Sequence, residues 1–245
     1  MKPSNPDVMT YLDCPDDRRP LTLEDLVSDA LISQLGGSDT TTSMCVHILY
    51  HLALYQEVQS RLFAEISEVL SPGQLFDYGT ISPLKYLEAV IKETLRLYPP
   101  APTGLSRKVP LEGIAIGGVF VVGGVDVSTP TYSLHRDPRY FVDPERFIPE
   151  RRITGSSINL VKGRPEMIID RTAFFPFGFG PYGCAGKHLA YVELKLFVAA
   201  IVRSLEVKLL RDTNVEEVER RVNGEWRDYS TLKAAPLTLR FLSRA

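Results

Sequence analysis

What the sequence has little of narrows its function first. In 245 residues there are three cysteines, Cys14, Cys45 and Cys184, odd in number and widely separated. That argues against a disulfide framework and for a reducing compartment. No CxxC pair and no histidine-rich tract is present, so no metal cluster of that kind is expected. Excess charge is lacking too. The formal net charge is -2, whereas a protein that binds phosphates normally shows a basic surplus, so nucleic acid and a polybasic membrane patch are set aside. Residues 1–20 hold no apolar run of signal-peptide or membrane-span length. They are polar, are broken by Pro3, Pro6, Pro15 and Pro20, and read as a loop or frayed arm. No membrane anchor is expected from this chain. Repeats and low-complexity tracts are absent. The remaining composition is globular, and the length suffices for one large or two small domains with a substantial core.

The most informative stretch is Phe174-Phe175-Pro176-Phe177-Gly178-Phe179-Gly180-Pro181-Tyr182-Gly183-Cys184-Ala185-Gly186-Lys187, which leads into a helical pattern from His188 to about Leu205. Its glycines let the backbone turn tightly and approach something bulky. An isolated cysteine in an apolar segment is ordinarily a small buried hydrophobe. At the mouth of a helix, however, the unpaired amides and the positive dipole end favour a thiolate. A polarisable sulfur in a glycine-lined apolar loop is one way to hold haem iron from one side.

Upstream, Thr22-Leu23-Glu24-Asp25 reads as a capping box opening a helix to about His51, with apolar residues on nearly every face and therefore expected to be buried all round. Inside it, Leu35-Gly36-Gly37-Ser38-Asp39-Thr40-Thr41-Thr42 is a poor helix former. Two explanations are available: close packing by another backbone, or a widening or kink that opens a groove with Asp39 and Thr40 facing it. A scaffold helix follows over 55–70, with Val58, Leu62, Ile66 and Val69 on one stripe. A third helix is expected from Ser82-Pro83, with serine as N-cap, to Pro99-Pro100. It places Glu93 and Arg96 three apart on one face. Val109 to Val127 predicts short strands joined by turns, residues 153–172 a loop, and the tail from Glu206 strands with Asn223-Gly224 as a hairpin turn.

Four of these stretches resemble, in order, the cytochrome P450 family. Phe177, Gly180, Cys184 and Gly186 fit F-x-x-G-x-R-x-C-x-G, with Tyr182 standing where the pattern has arginine. Gly36, Gly37, Asp39, Thr40 and Thr41 are similar to [AG]-G-x-[DE]-T-[TS]. Glu93 and Arg96, followed by Tyr98-Pro99-Pro100, match E-x-x-R. Phe141 to Arg152 resembles P-x-x-F-x-P-E-R-[FW], with Arg152 in place of the aromatic.

The resemblance, most like fungal and eukaryotic microsomal members, implies a mainly α chain with small β-sheets. It would be a partial cytochrome P450 fold in which 21–245 forms the C-terminal portion of one domain and the N-terminal half is absent. It implies haem b with Cys184 as axial thiolate, Thr40 and Asp39 handling oxygen and protons, and Glu93, Arg96 and Arg151 as a structural triad. Arg107 would pair a haem propionate, a role made more valuable by Tyr182, which itself keeps a hydroxyl to donate; Lys187 offers a nearby charge. His135 is a contact behind the haem or simply a satisfied structural histidine. Thr103, Gly104 and Leu105 would line the substrate space. Lys187, Lys195 and Arg203 form a basic face for an acidic electron donor, or a solvated helix face.

The implied activity is a monooxygenase that inserts one atom of O2 into a small lipophilic substrate of secondary metabolism, of the terpenoid, polyketide or alkaloid kind. Nothing in the sequence resembles a flavin or nicotinamide site, so electrons would come from NADPH through a separate reductase, NADPH-cytochrome P450 reductase or a similar donor. The chain would work on the reducing cytosolic side, at the endoplasmic reticulum only if an anchor precedes it. The alternatives are a truncated inactive fragment, a non-oxygenating haem-thiolate isomerase and a haem-binding partner.

Overall fold

Thr22 opens the first helix, α1 (Leu23–Leu54), through the expected capping box: its hydroxyl accepts from the Asp25 amide at 3.1 Å, and the Asp25 carboxylate accepts from the Thr22 amide at 2.9 Å. The computed structural model describes residues 22–71, 77–153, 168, 170–211, 213–229 and 231–244. The proline-rich arm and most of the loop expected over 153–172 lie outside them. The expectation that α1 is buried all round is corrected. Leu23 is 78% and Ile32 70% exposed, Val27, Leu31 and Leu35 are exposed as well, and burial begins at Ser43 and Met44. An all-apolar pattern needs neighbours on every face, and the described elements that pack on α1 meet its C-terminal half.

The second helix, α2 (Gln56–Val69), buries Val58, Leu62 and Ile66, with Val69 at the rim. A single turn, α3 (Tyr78–Ile81), is capped by Asp77, whose side chain accepts from the Gly79 amide. The next helix is α4 (Lys85–Leu97), and Ser82 does not cap it. Ser82 is itself helical (φ -59°, ψ -35°) and ends α3, whereas an N-cap requires an extended backbone. The cap comes from another helix: the Glu65 carboxylate on α2 accepts from the amides of Tyr86 and Leu87 at 2.8 and 2.9 Å. A carboxylate at that end also complements the dipole.

Short strands follow as expected. β1 (Arg107–Lys108) pairs antiparallel with β4 (Asp126–Val127), and β2 (Ile114–Ile116) with β3 (Val119–Val121). Gly117 and Gly118 connect β2 to β3, both at positive φ (58° and 83°), a demand of the two-residue hairpin that glycine meets without strain. After α5 (Thr131–Leu134), the next α-helix among the described residues is α6 (Lys187–Ser204), which runs directly into β5 (Leu205–Leu209).

The expected hairpin at Asn223-Gly224 is instead the end of a helix, α7 (Val215–Gly224). Asn214 caps it by accepting from the Glu217 amide at 3.3 Å, and Val215, Val218 and Val222 repeat at helical spacing. β6 (Arg227–Asp228) pairs with β7 (Leu232–Lys233), and β8 (Leu239–Ser243) returns to β5.

The fold is thus mainly helical with small antiparallel sheets. Its core lies between the C-terminal half of α1, α2, α4 and α6, where Ile48, Leu52, Leu62, Leu87, Leu194 and Val198 are buried. Two glutamines join α2 to β5. The Gln59 amide donates to the Val207 carbonyl at 2.9 Å and accepts from its N–H at 2.7 Å, and Gln56 donates to the same carbonyl at 3.0 Å.

Candidate functional site

The cysteine loop is shaped by its own backbone. Gly178 and Gly180 take positive φ (67° and 63°), and the Cys184 amide donates back to the Phe177 carbonyl at 2.8 Å. Lys187 then begins α6, with Gly186 as an N-cap that offers no side chain to the first amides. The Cys184 thiol is free and exposed at this helix mouth. A Cβ on Gly186 would stand 3.8 Å from its Sγ, and one on Gly180 would meet nothing within 4 Å. The loop therefore presents the sulfur and leaves room beside it. On the aromatic side, Phe175 and Phe179 lie with ring centroids 4.8 Å apart, and Phe177 meets Tyr191 at 5.3 Å. A cavity of about 450 Å³ runs along Phe174–Phe179, Lys187 and His188, and Cys184 does not line it.

The glycine-threonine segment of α1 stays α-helical throughout, with no π turn. Nor is another backbone packed on it: a Cβ at Gly36 or Gly37 would meet nothing within 4 Å among the described residues. The close-packing explanation and the widening are corrected in that respect. What the segment does contain is a hydrogen bond from the half-buried Thr40 hydroxyl to the Gly36 carbonyl at 2.5 Å. Such a bond one turn back diverts a carbonyl from the helix ladder. Asp39 is exposed. Thr41 donates to Glu193 on α6 at 3.4 Å, tying this part of α1 to the helix that follows the cysteine.

Glu93 and Arg96 are fully buried on α4 and bonded, Arg96 Nη2 to Glu93 Oε1 at 2.8 Å and Nε at 3.2 Å. Arg96 also donates to the carbonyls of His135, Pro144 and Arg146. Arg151 Nε reaches the same Glu93 oxygen at 2.6 Å, and its Nη1 donates to the Val142 carbonyl at 2.6 Å. Burial would raise the Glu93 carboxyl, but the charges of Arg96 and Arg151 outweigh it and hold the pKa at about 2.

A fourth member was missed. Arg152 Nε lies 3.5 Å from Glu93 Oε2, and its guanidinium stacks on Phe174 at 3.9 Å. The available signal was an arginine where the pattern has an aromatic, since a planar guanidinium can stack as a ring does.

His135 is buried with both ring nitrogens engaged. The Phe175 amide donates to Nε2 at 3.2 Å, and Nδ1 lies 3.2 Å from the Arg96 carbonyl. An amide can only donate, so Nε2 accepts and Nδ1 carries the proton. Burial, helped by the charge of Arg96, lowers its pKa to about 3. This neutral imidazole links the end of α4 to the aromatic run ahead of Cys184.

Arg107 on β1 is exposed and stands with its guanidinium carbon 4.9 Å from the Tyr182 ring centroid. Thr103 and Leu105 are exposed in the linker between α4 and β1. Gly104 has φ 73°, and a Cβ there would lie 2.1 Å from the Thr129 carbonyl oxygen, so its backbone path accounts for it. The basic face of α6 is corrected: Lys195 is buried, donating to the Ser82 carbonyl at 2.5 Å and Glu88 at 3.2 Å, and Arg203 donates to the Ser71 carbonyl. Lys187 remains exposed.

Residues 9–226 match the cytochrome P450 family model. The chain belongs to the cytochrome P450 family. It is 38% identical over 244 residues to cytochrome P450 monooxygenase orf5 of Eupenicillium brefeldianum, covering 98% of this chain and 46% of that protein. To tryprostatin B 6-hydroxylase of Aspergillus fumigatus it is 36% identical over 208 residues, 83% of this chain and 35% of that one. Human cytochrome P450 3A7 gives 34% over 191 residues, 78% and 36%. The chain spans less than half the length of these relatives. P450 membership implies in general a haem with thiolate ligation, an electron donor and a substrate. Among the described residues no three His, Cys, Asp or Glu side chains group as a metal site. No described helix is long and apolar enough to cross a membrane.

Proposed function

We propose that this chain carries the haem-thiolate centre of a P450 monooxygenase, with Cys184 as the axial ligand. One observation carries the reading. The thiol is exposed on a glycine-shaped loop whose backbone is bonded to itself, at the uncapped mouth of α6, and a Cβ added at Gly180 of that loop would meet nothing within 4 Å.

When bound, haem b activates O2 so that one oxygen atom enters an organic substrate. The chain's own residues do the rest. Thr40, whose hydroxyl donates to the Gly36 carbonyl, keeps its oxygen lone pairs to accept a hydrogen bond from a water, and Asp39, being exposed, exchanges protons with solvent. Glu93, Arg96 and Arg151, with His135 bonded to Phe175, fix the approach of the aromatic run to the cysteine loop. Phe177, Gly180 and Gly186 give the loop its path. Thr103, Gly104 and Leu105 border the substrate side, and the apolar surroundings favour a small lipophilic substrate, of secondary metabolism by analogy with the fungal relatives. Electrons come from NADPH through a separate reductase. In this reading residues 21–245 form the C-terminal portion of one P450 domain.

The test is the spectrum of the haem-loaded chain after reduction and carbon monoxide addition. The wild type is expected to show the red-shifted band of thiolate-ligated iron, and Cys184→Ser to lose it; an unchanged spectrum in that variant overturns the proposal. With a reductase supplied, Thr40→Ala is expected to keep the band and lose product formation. Full turnover in that variant would favour non-oxygenating chemistry.

A further inference from the structure

The departure of this chain from the P450 cysteine pattern, Tyr182 in place of arginine, sits against Arg107. Tyr182 closes the single turn Gly180–Tyr182, two residues before Cys184, and its side chain is 73% exposed. Arg107 comes from a different element, held at its place on β1 by pairing with Val127 on β4. Its guanidinium carbon lies 4.9 Å from the ring centroid. A guanidinium over a tyrosine face is attracted by the ring quadrupole and leaves its N–H edge unobstructed.

That edge is underused. Nη1 donates to the Ser106 carbonyl at 2.9 Å, and among the described residues no carboxylate pairs with Arg107. The nearby acidic group, Asp126, faces Lys108 at 3.6 Å instead. A cation carrying five donors therefore lies against an aromatic ring of the cysteine loop, with most of its hydrogen-bonding capacity unspent among the described residues.

We infer that Tyr182 is a positioning residue: its ring, rather than its hydroxyl, holds Arg107 at the cysteine loop as the carboxylate clamp of this chain, so that one guanidinium serves where the family pattern supplies a second. The inference rests on the proposed function, because the carboxylate is a haem propionate. It differs from a tyrosine that binds the carboxylate itself, in which the hydroxyl would be essential and the loss of Arg107 would leave Tyr182 its effect.

The experiment measures the rate of haem loss from the loaded chain to an excess of an apoglobin scavenger, with the thiolate band confirming ligation. Both side chains are exposed, so the urea midpoint of each variant should equal that of the wild type, which separates positioning from folding. Tyr182→Phe is expected to lose haem at the wild-type rate, Tyr182→Leu roughly two- to fivefold faster, as a cation–π contact at an exposed site predicts. Arg107→Ala should be at least as fast as Tyr182→Leu, and the double variant no faster than Arg107→Ala alone. Tyr182→Phe as fast as Tyr182→Leu would overturn the inference in favour of the hydroxyl. So would additive effects, or a wild-type rate in Tyr182→Leu. A wild type that takes up no haem overturns this inference together with the proposed function, whereas a wild type with the thiolate band and unaffected variants overturns this inference alone.

Discussion

At the scale of single residues, the most consequential carboxylate is Glu93. It is fully buried among Arg96, Arg151 and Arg152, and such a cluster survives burial only while charge and hydrogen bonds are matched. Replacing Glu93 by Gln keeps the shape and removes the counter-charge from three guanidinium groups. The loss should be about 3 to 5 kcal/mol or more, a large share of the roughly 5 to 15 kcal/mol typical of a domain. Urea unfolding is expected to show either a midpoint sharply below wild type or no cooperative transition at all; a midpoint within error of wild type would refute the account. Spacing alone made Glu93 and Arg96 neighbours, and any helix does the same for hundreds of exposed pairs. What sequence spacing cannot show is burial. Arg152 went unread for a related reason, since its stacking on Phe174 depends on two segments far apart in the chain.

At the scale of elements, Glu65 does for α4 what a local serine was expected to do. Its carboxylate takes the amides of Tyr86 and Leu87, so the helix that carries Glu93 and Arg96 is started by its neighbour α2. Glu65→Ala should destabilise by about 1 to 2 kcal/mol, the upper range of a lost helix cap. Hydrogen exchange at those two amides should accelerate more than at Ile91, in the middle of α4. Equal acceleration throughout the helix would argue that Glu65 acts only globally.

The cap was illegible because the chain offers Ser82-Pro83, a good local signal, while the group in use lies more than a turn of another helix away. At α7 the reverse occurred. Asn214 and the valines at 215, 218 and 222 were a readable helix signal, and the Asn223-Gly224 pair, equally at home at a helix end, drew attention from it. α2, the β2–β3 hairpin and the course of α6 were legible because each follows from local periodicity or turn chemistry.

At the scale of the whole molecule, three buried histidines set its response to acid. Burial lowers His47 to about 4 and His135 to about 3 from an ordinary 6.5, and drives His51 well below that value. Each is neutral when folded, yet takes a proton when unfolded below about pH 6.5. The unfolded chain therefore holds more protons throughout the window between the folded and unfolded values. Stability is complete above pH 6.5 and falls as pH drops through that window, by up to about 1.4 kcal/mol per pH unit for each histidine. Glu93, depressed from 4.5 to about 2, adds a further loss below pH 4.5. Urea midpoints should be clearly lower at pH 5 than at pH 7.5, and His47→Phe should make the dependence shallower. Equal midpoints at the two pH values would contradict this.

The glutamines that bind Val207 affect how one molecule meets another. Among the described residues β5 is paired with β8 along one side only, and an open strand margin is a template on which foreign chains can add. Gln59 satisfies both main-chain groups of Val207 on the far side and Gln56 reinforces the carbonyl, so the place where an incoming strand would register is already taken. Gln59 and Val207 are both buried, so these two amides close the margin of β5 from inside the fold, with side chains of α2 standing where a third strand would otherwise be required.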